Sequence, residues 1–176
     1  MQPAKLQTIR LLNGLVLINN ERTAGYKQLI GLLQSDGSLE LQYLNLQLLL
    51  SNFHHQSQLF SDTLRNILLI EGGKMPYGVK VDNQLYQMLR NMKALFAALN
   101  TDNILSTAAA CEQLMLDAYS LVLQETRLSV YQAEIIVRQH TELQKAANCM
   151  QEMLALEPVE NALLVGMNAG GNAAWI

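Results

Sequence analysis

Four residues of the chain carry metal-binding or proton-moving side chains near the middle of long helical patterns: Glu112, His140, Glu21 and His54. Carboxylate and imidazole are the donors that hold iron, manganese or zinc. Ala108, Met115, Leu116, Tyr119 and Val122 share a face with Glu112, because residues three, four and seven apart lie on one side of a helix. A carboxylate among such neighbours costs several kcal/mol unless it is paired or protonated. His140, at the edge of the stripe formed by Ile136, Leu143, Ala147, Met150 and Leu154, is one candidate partner. Arg22 is the other, falling on the apolar face of the first helical pattern with Leu15, Ile18 and Leu29. Two readings follow. In one, Arg22, Ser57, Glu112 and His140 form a buried hydrogen-bonded layer that fixes helix register. In the other, Glu112 and His140 are inner ligands of a mononuclear metal site that Glu21 or His54 completes.

Other chemistries lack their residues. A di-iron site in a helix bundle takes a Glu from each of two helices and a Glu-x-x-His from each of the other two, so that both ligands of a pair point at one ion. Here Val137 stands three residues after Glu134 and Lys145 three after Glu142, and the second helical pattern holds no Glu between Leu41 and Ile70. The standard di-iron oxidase centre therefore cannot be assembled. Cys111 is offset by about 100° from Glu112 and reads as a small gap-filling hydrophobe rather than a nucleophile. Gly72-Gly73 is a helix stop without the lysine and serine of a phosphate cradle. No dinucleotide fingerprint or nucleophile elbow occurs.

The elements that position these residues are five helical segments, read from apolar periodicity and breakers. The first runs from about Ala4 to Gln34, with Pro3 in its first turn. The second runs from about Leu39 to Glu71 and closes on Gly72. Asp82 caps a third that reaches Leu99; Asn100-Thr101-Asp102 caps a fourth that reaches Thr126. Ser129 caps a fifth that reaches Leu156, where Pro158 ends it. Segments one, two, four and five are each about 24–33 residues, roughly 36–50 Å at 1.5 Å per residue. Short links pair one with two and four with five. The expected fold is all-α: a ferritin-like four-helix bundle of two long antiparallel hairpins, residues 4–157, with a crossover helix at about 82–99 and a C-terminal tail at 158–176. Gly25, on the inner face of the first helix, leaves room for a neighbouring helix or a bulky side chain such as Tyr119.

Composition bounds the partners. The 176 residues are 50% hydrophobic and only 15% charged, with a net charge of -3, so no basic face invites nucleic acid. No apolar run reaches the length of about 18 residues that spans a bilayer. The short run after Arg10, broken by Asn13-Gly14, continues at helical spacing and reads as an amphipathic first helix rather than a leader. Cys111 and Cys149 sit in no paired or zinc-like spacing, which suits reduced thiols and a cytoplasmic location. The eight methionines are spread along apolar faces as core filler. The apolar terminus carrying Trp175 covers the bundle's own groove, binds another subunit or stays free, in that order of preference; low surface charge favours self-association, and a homodimer is expected, with an unknown protein partner as the other option.

Scattered residues also resemble an uncharacterised bacterial ferritin-like family of unknown function. They are Glu21 followed by Gly25-Tyr26, Phe60 and Leu64, Gly72-Gly73 and Pro76, Leu89 to Leu95 with Lys93, Cys111-Glu112-Gln113 with Tyr119, and His140. The resemblance implies a four-helix bundle and a link to stress physiology, and it carries no established activity. Ala109 stands where that family often has a second acidic residue and Ser57 where it often has Arg, which weakens a metal site for this member. The expectation is a non-catalytic bundle without a cofactor that acts through self-association or partner binding; the alternative is a metal-binding protein using iron, manganese or zinc at the mid-bundle Glu/His site.

Overall fold

The computed structural model describes residues 3–35, 41–72, 80–125 and 127–169, with side chains left undescribed at 3, 4, 41–43 and 157–169. The chain is all-helical and has no strand among the described residues. Five α-helices follow in order: α1 (Pro3–Ser35), α2 (Leu41–Ile70), α3 (Asn83–Ala97), α4 (Ile104–Leu123) and α5 (Val130–Ala169), with a 3-10 turn at Thr101–Asn103 before α4. No helix among the described residues is long and apolar enough to cross a membrane.

The stops and starts follow local chemistry. Gly72 adopts a φ of 71°, the left-handed conformation that glycine enters without a Cβ penalty, and its N–H closes on the Leu69 carbonyl at 3.0 Å. Asp82 caps α3 by accepting from the backbone of Gln84 (2.9 Å) and Leu85 (3.4 Å). Asn100 and Asn103 form a reciprocal capping box ahead of α4. Ser129 and Gln132 do the same for α5, at 2.9 and 3.2 Å. One boundary is corrected. α5 does not end near Leu156 but continues through Pro158 to Ala169. Proline removes one hydrogen bond and crowds the preceding turn, which kinks or breaks a helix. The Leu- and Ala-rich stretches on both sides are strong helix formers and carry the helix across it. The segment with Trp175 lies outside the described residues.

Paired contacts give the directions. Lys5 meets Glu71 and Arg22 meets Ser57, so α1 and α2 run antiparallel. Asn19 meets Tyr119 and Arg22 meets Glu112, so α1 and α4 run antiparallel. Phe60 meets Gln139 and Glu71 meets Gln132, so α2 and α5 run antiparallel. A link of a few residues reverses α4 into α5, which lies against it at Tyr119–Gln139. The core runs between these helices through Leu12, Leu15, Tyr26, Leu50, Leu64, Met115, Tyr119, Ile136 and Leu143. α3 lies parallel to α1 on the outside, from Gln7–Asp82 at one end to Gly25–Phe96 at the other.

Gly25 does leave room for a bulky group, but that group is Phe96 of α3 rather than Tyr119. A methyl at Gly25 would overlap the Phe96 ring. Gly14 serves the same purpose beneath Leu85 and Val81. Gly31 faces open space. The two kinds of site separate in a simple experiment. Gly31→Ala is expected to raise stability by about 0.5–1 kcal/mol, because only chain entropy and helix propensity change. Gly25→Ala is expected to lower it by about 1–3 kcal/mol by displacing Phe96, and adding Phe96→Leu to recover part of the loss. Urea unfolding followed by circular dichroism reads both; equal responses at the two glycines would contradict the packing account.

Candidate functional site

The buried polar site begins with spacing on α1. Asn19, Arg22 and Tyr26 occupy positions three and four apart on the face turned inward, so all three project into the core. Glu112 projects from the middle of α4 towards the same point, and Ser57 and Gln56 approach from α2. Arg22 and Glu112 are wholly buried. Their contact is the forked, two-point pairing that a planar guanidinium makes with a carboxylate. Arg22 Nε donates to Glu112 Oε1 at 2.8 Å and Nη2 donates to Oε2 at 2.9 Å.

The remaining donors of the guanidinium are also placed. Nη2 reaches Gln56 Oε1 at 3.0 Å, and Nη1 reaches Ser57 Oγ at 2.8 Å and the Phe53 carbonyl at 3.5 Å. Five N–H groups thus have five contacts. Ser57 passes its own proton to the Phe53 carbonyl at 2.8 Å. The Tyr26 hydroxyl donates a short hydrogen bond to Glu112 Oε1. The guanidinium carbon lies 5.1 Å from the Tyr26 ring centre and 5.6 Å from that of Phe53, both within cation–π range. A second, neutral layer lies one turn away on α1 and two turns away on α4. Asn19 Nδ2 donates to Tyr119 Oη at 2.9 Å, Tyr119 donates to Gln139 Oε1 at 2.8 Å, and Gln139 Nε2 donates to the Phe60 carbonyl at 3.4 Å.

Electrostatics follows from burial. Burial disfavours the guanidinium cation, yet Glu112 and Tyr26 outweigh it and hold Arg22 charged above its ordinary range. Burial, with the Glu112 charge adding to it, pushes Tyr26 well above the ordinary tyrosine value. Burial likewise pushes Tyr119 up, against the opposing influence of its Asn19 hydrogen bond. Burial and Glu112 push the Cys111 thiol up, which leaves it protonated and a poor nucleophile.

The residues singled out from the sequence divide into two groups. Arg22, Ser57 and Glu112 come together as one buried layer. His140 does not join them. It lies half-buried with Nε2 3.1 Å from Ser120 Oγ, about 12 Å along α4 from Glu112 at the helical rise. The register that sets Tyr119 against Gln139 brings Ala146 to the level of Glu112 instead. Glu21 turns towards Lys93 of α3 at 3.9 Å. His54 is half-buried on the flank of α2, and His55 is exposed. Tyr26, Gln56, Asn19 and Gln139 are partners that the sequence reading missed. Iron, manganese or zinc do not fit this donor set. Both Glu112 oxygens already accept hydrogen bonds, a cation sits beside them, and no group of three or more His, Cys, Asp or Glu among the described residues could hold a metal.

Comparison with protein-family models, curated proteins and solved structures finds no match to this chain. The resemblance to an uncharacterised ferritin-like family thus gains no support beyond the scattered residues that carry it.

Two outcomes test the site. Arg22→Ala leaves a buried, unpaired carboxylate and is expected to cost about 3–5 kcal/mol, whereas Arg22→Met with Glu112→Leu is expected to fall within about 1–2 kcal/mol of the parent or above it. Denaturant unfolding of both variants checks this; a double variant as unstable as the single one would mean that the charge pair does not carry the effect. The second is an alkaline titration followed by tyrosine absorbance. Tyr26 and Tyr119 have folded values above the ordinary value of about 10, so native stability is intact below that pH and is lost as pH rises from it through the folded values. Two of the six tyrosines are expected to ionise only together with unfolding.

Proposed function

We propose that the chain is a non-catalytic helical bundle of ferritin-like connectivity that acts through self-association or partner binding. One observation carries this reading: the mid-height layer, where such bundles gather their metal ligands, is filled by a saturated Arg22–Glu112 pair. Neither carboxylate oxygen is free to take a metal, and the network has no exposed member with both a nucleophile and a base. The antiparallel contacts of α1 with α2, of α1 with α4 and of α2 with α5, together with α3 linking the two halves, support the bundle and crossover assignment. A reducing, cytoplasmic setting is supported by the two free thiols, Cys111 and Cys149.

Mass-spectrometric metal analysis of the untagged protein, beside Glu112→Gln, tests the reading. The expected result is no stoichiometric metal in either. Near-stoichiometric iron, manganese or zinc that is lost in Glu112→Gln would overturn it and establish the alternative mid-bundle site.

A further inference from the structure

α2 is apolar on two sides. Leu50, Phe53, Leu64, Ile67 and Leu68 face the core. On the opposite side Leu44, Leu48, His55, Leu59, Asn66 and Ile70 are all exposed, Leu48 by 63% and Ile70 by 76%. These six follow one another at alternating steps of four and seven residues, so they stay within about 80° of one another on the helix surface, a sector that also holds the exposed Asn52 and Asp62. Such an eleven-residue period lies close to the natural helical repeat, and the stripe runs almost straight for roughly 39 Å. Apolar residues scattered singly on a surface need no explanation, but an aligned stripe does.

We propose that this outward stripe of α2 is the face on which a second copy of the chain docks, α2 against α2 and antiparallel. The proposal rests on the self-association reading and names its surface. Charge supports a second copy as the occupant. Asp62 and Arg65 are the only residues of α2 with a formal charge, and they neutralise each other at 3.0 Å. The outer face of α5, by contrast, carries Glu134, Arg138, Glu142, Lys145 and Glu152. Loss of charge at the centre of a patch marks protein interfaces. A lipid surface is disfavoured, since the interfacial helices that bind one carry Lys and Arg around their apolar side.

The spacing is self-complementary. Steps of four and seven read the same in both directions, so a reversed copy falls into register, as a two-fold interface requires. Leu44 of one protomer then meets Ile70 of its partner, Leu48 meets Asn66, and His55 meets Leu59. The two Asp62 carboxylates lie opposite Asn52 of each partner, roughly 15 Å apart along the axis, so like charges do not face each other. A shallow groove between α1 and α2, lined by Asn20, Thr23, His55 and Leu59 and flanked by the Asp62–Arg65 pair, receives the partner's side chains at mid-stripe.

Sedimentation equilibrium of the full chain, from low to high micromolar concentration, tests the proposal. The expected mass is that of two chains. Leu59→Lys is expected to halve it with the circular dichroism unchanged, because Leu59 is exposed in the single chain. Adding His55→Glu to Leu59→Lys is expected to restore the dimer, since the new carboxylate of one copy faces the new ammonium of the other. A dimer that survives Leu48→Lys combined with Leu59→Lys overturns the face but leaves self-association standing. A wild-type chain that is monomeric throughout overturns both. A monomer in which Leu59→Lys shifts the fluorescence of Trp175 gives the face to the chain's own C-terminus and overturns the proposal.

Discussion

The Arg22–Glu112 pair is the constraint to which the other contacts are fitted. Two charges with no exposed surface tolerate little misplacement, because each ångström of separation weakens the attraction that offsets their lost hydration. Arg22 must therefore stand at the height of Glu112, which sets α1 against α4. Its outer nitrogens must also find Ser57, Gln56 and the Phe53 carbonyl, which sets α2 against α1. Three helices are thus fixed by one guanidinium. α5 is attached by the neutral layer, two turns along α4 from Glu112, through Tyr119 and Gln139. α3 takes no part in either layer and is seated by shape, with Phe96 and Leu85 lying over two glycines of α1.

Much of this was legible in the residues. The helix starts at Asp82, Asn100 and Ser129, and the stop at Gly72, are local signals that do not depend on the rest of the chain. Glu112 was legible as a buried carboxylate because its i±3, i±4 and i±7 neighbours are apolar, and Arg22 was one of two residues able to meet it. His140, the other, fails on register. Matching helix midpoints gives the height of a residue only when hairpin partners are equally long, and α5 extends well beyond the start of α4. Tyr26, Asn19 and Gln139 were missed for a different reason. An uncharged polar group on an apolar face needs a partner, but many groups can supply it, so its role is settled by what the neighbouring helices bring to it. Their spacing beside Arg22 was visible; what faced it was not. Pro158 misled because one missing hydrogen bond ends a helix only where the flanking residues do not favour continuing it.

The pair does not add stability over a well-packed apolar core, since desolvation takes back most of what the attraction gives. Its value lies in choosing between arrangements. Leucine is nearly a fifth of the chain, and leucine faces of similar width are interchangeable partners. α2 poses the problem most sharply, with one apolar stripe turned inward and another turned outward. A rotation of roughly half a turn about its own axis would exchange them, burying His55, Asn66 and the Asp62 carboxylate in place of Phe53 and Leu64. Ser57 and Gln56 lie on the inner side, and only the observed rotation brings both to Arg22. Turning α2 over would leave Arg22 its Glu112 contacts on α4 but take away Ser57, Gln56 and the Phe53 carbonyl, three of its five hydrogen-bond contacts, at about 1–3 kcal/mol for each buried donor left unpaired. The charged layer thus decides which apolar stripe of α2 closes the bundle and which is left facing outward. A buried ion pair at the centre and a charge-poor outer face are, in this chain, two consequences of the same helix having to be apolar on both sides.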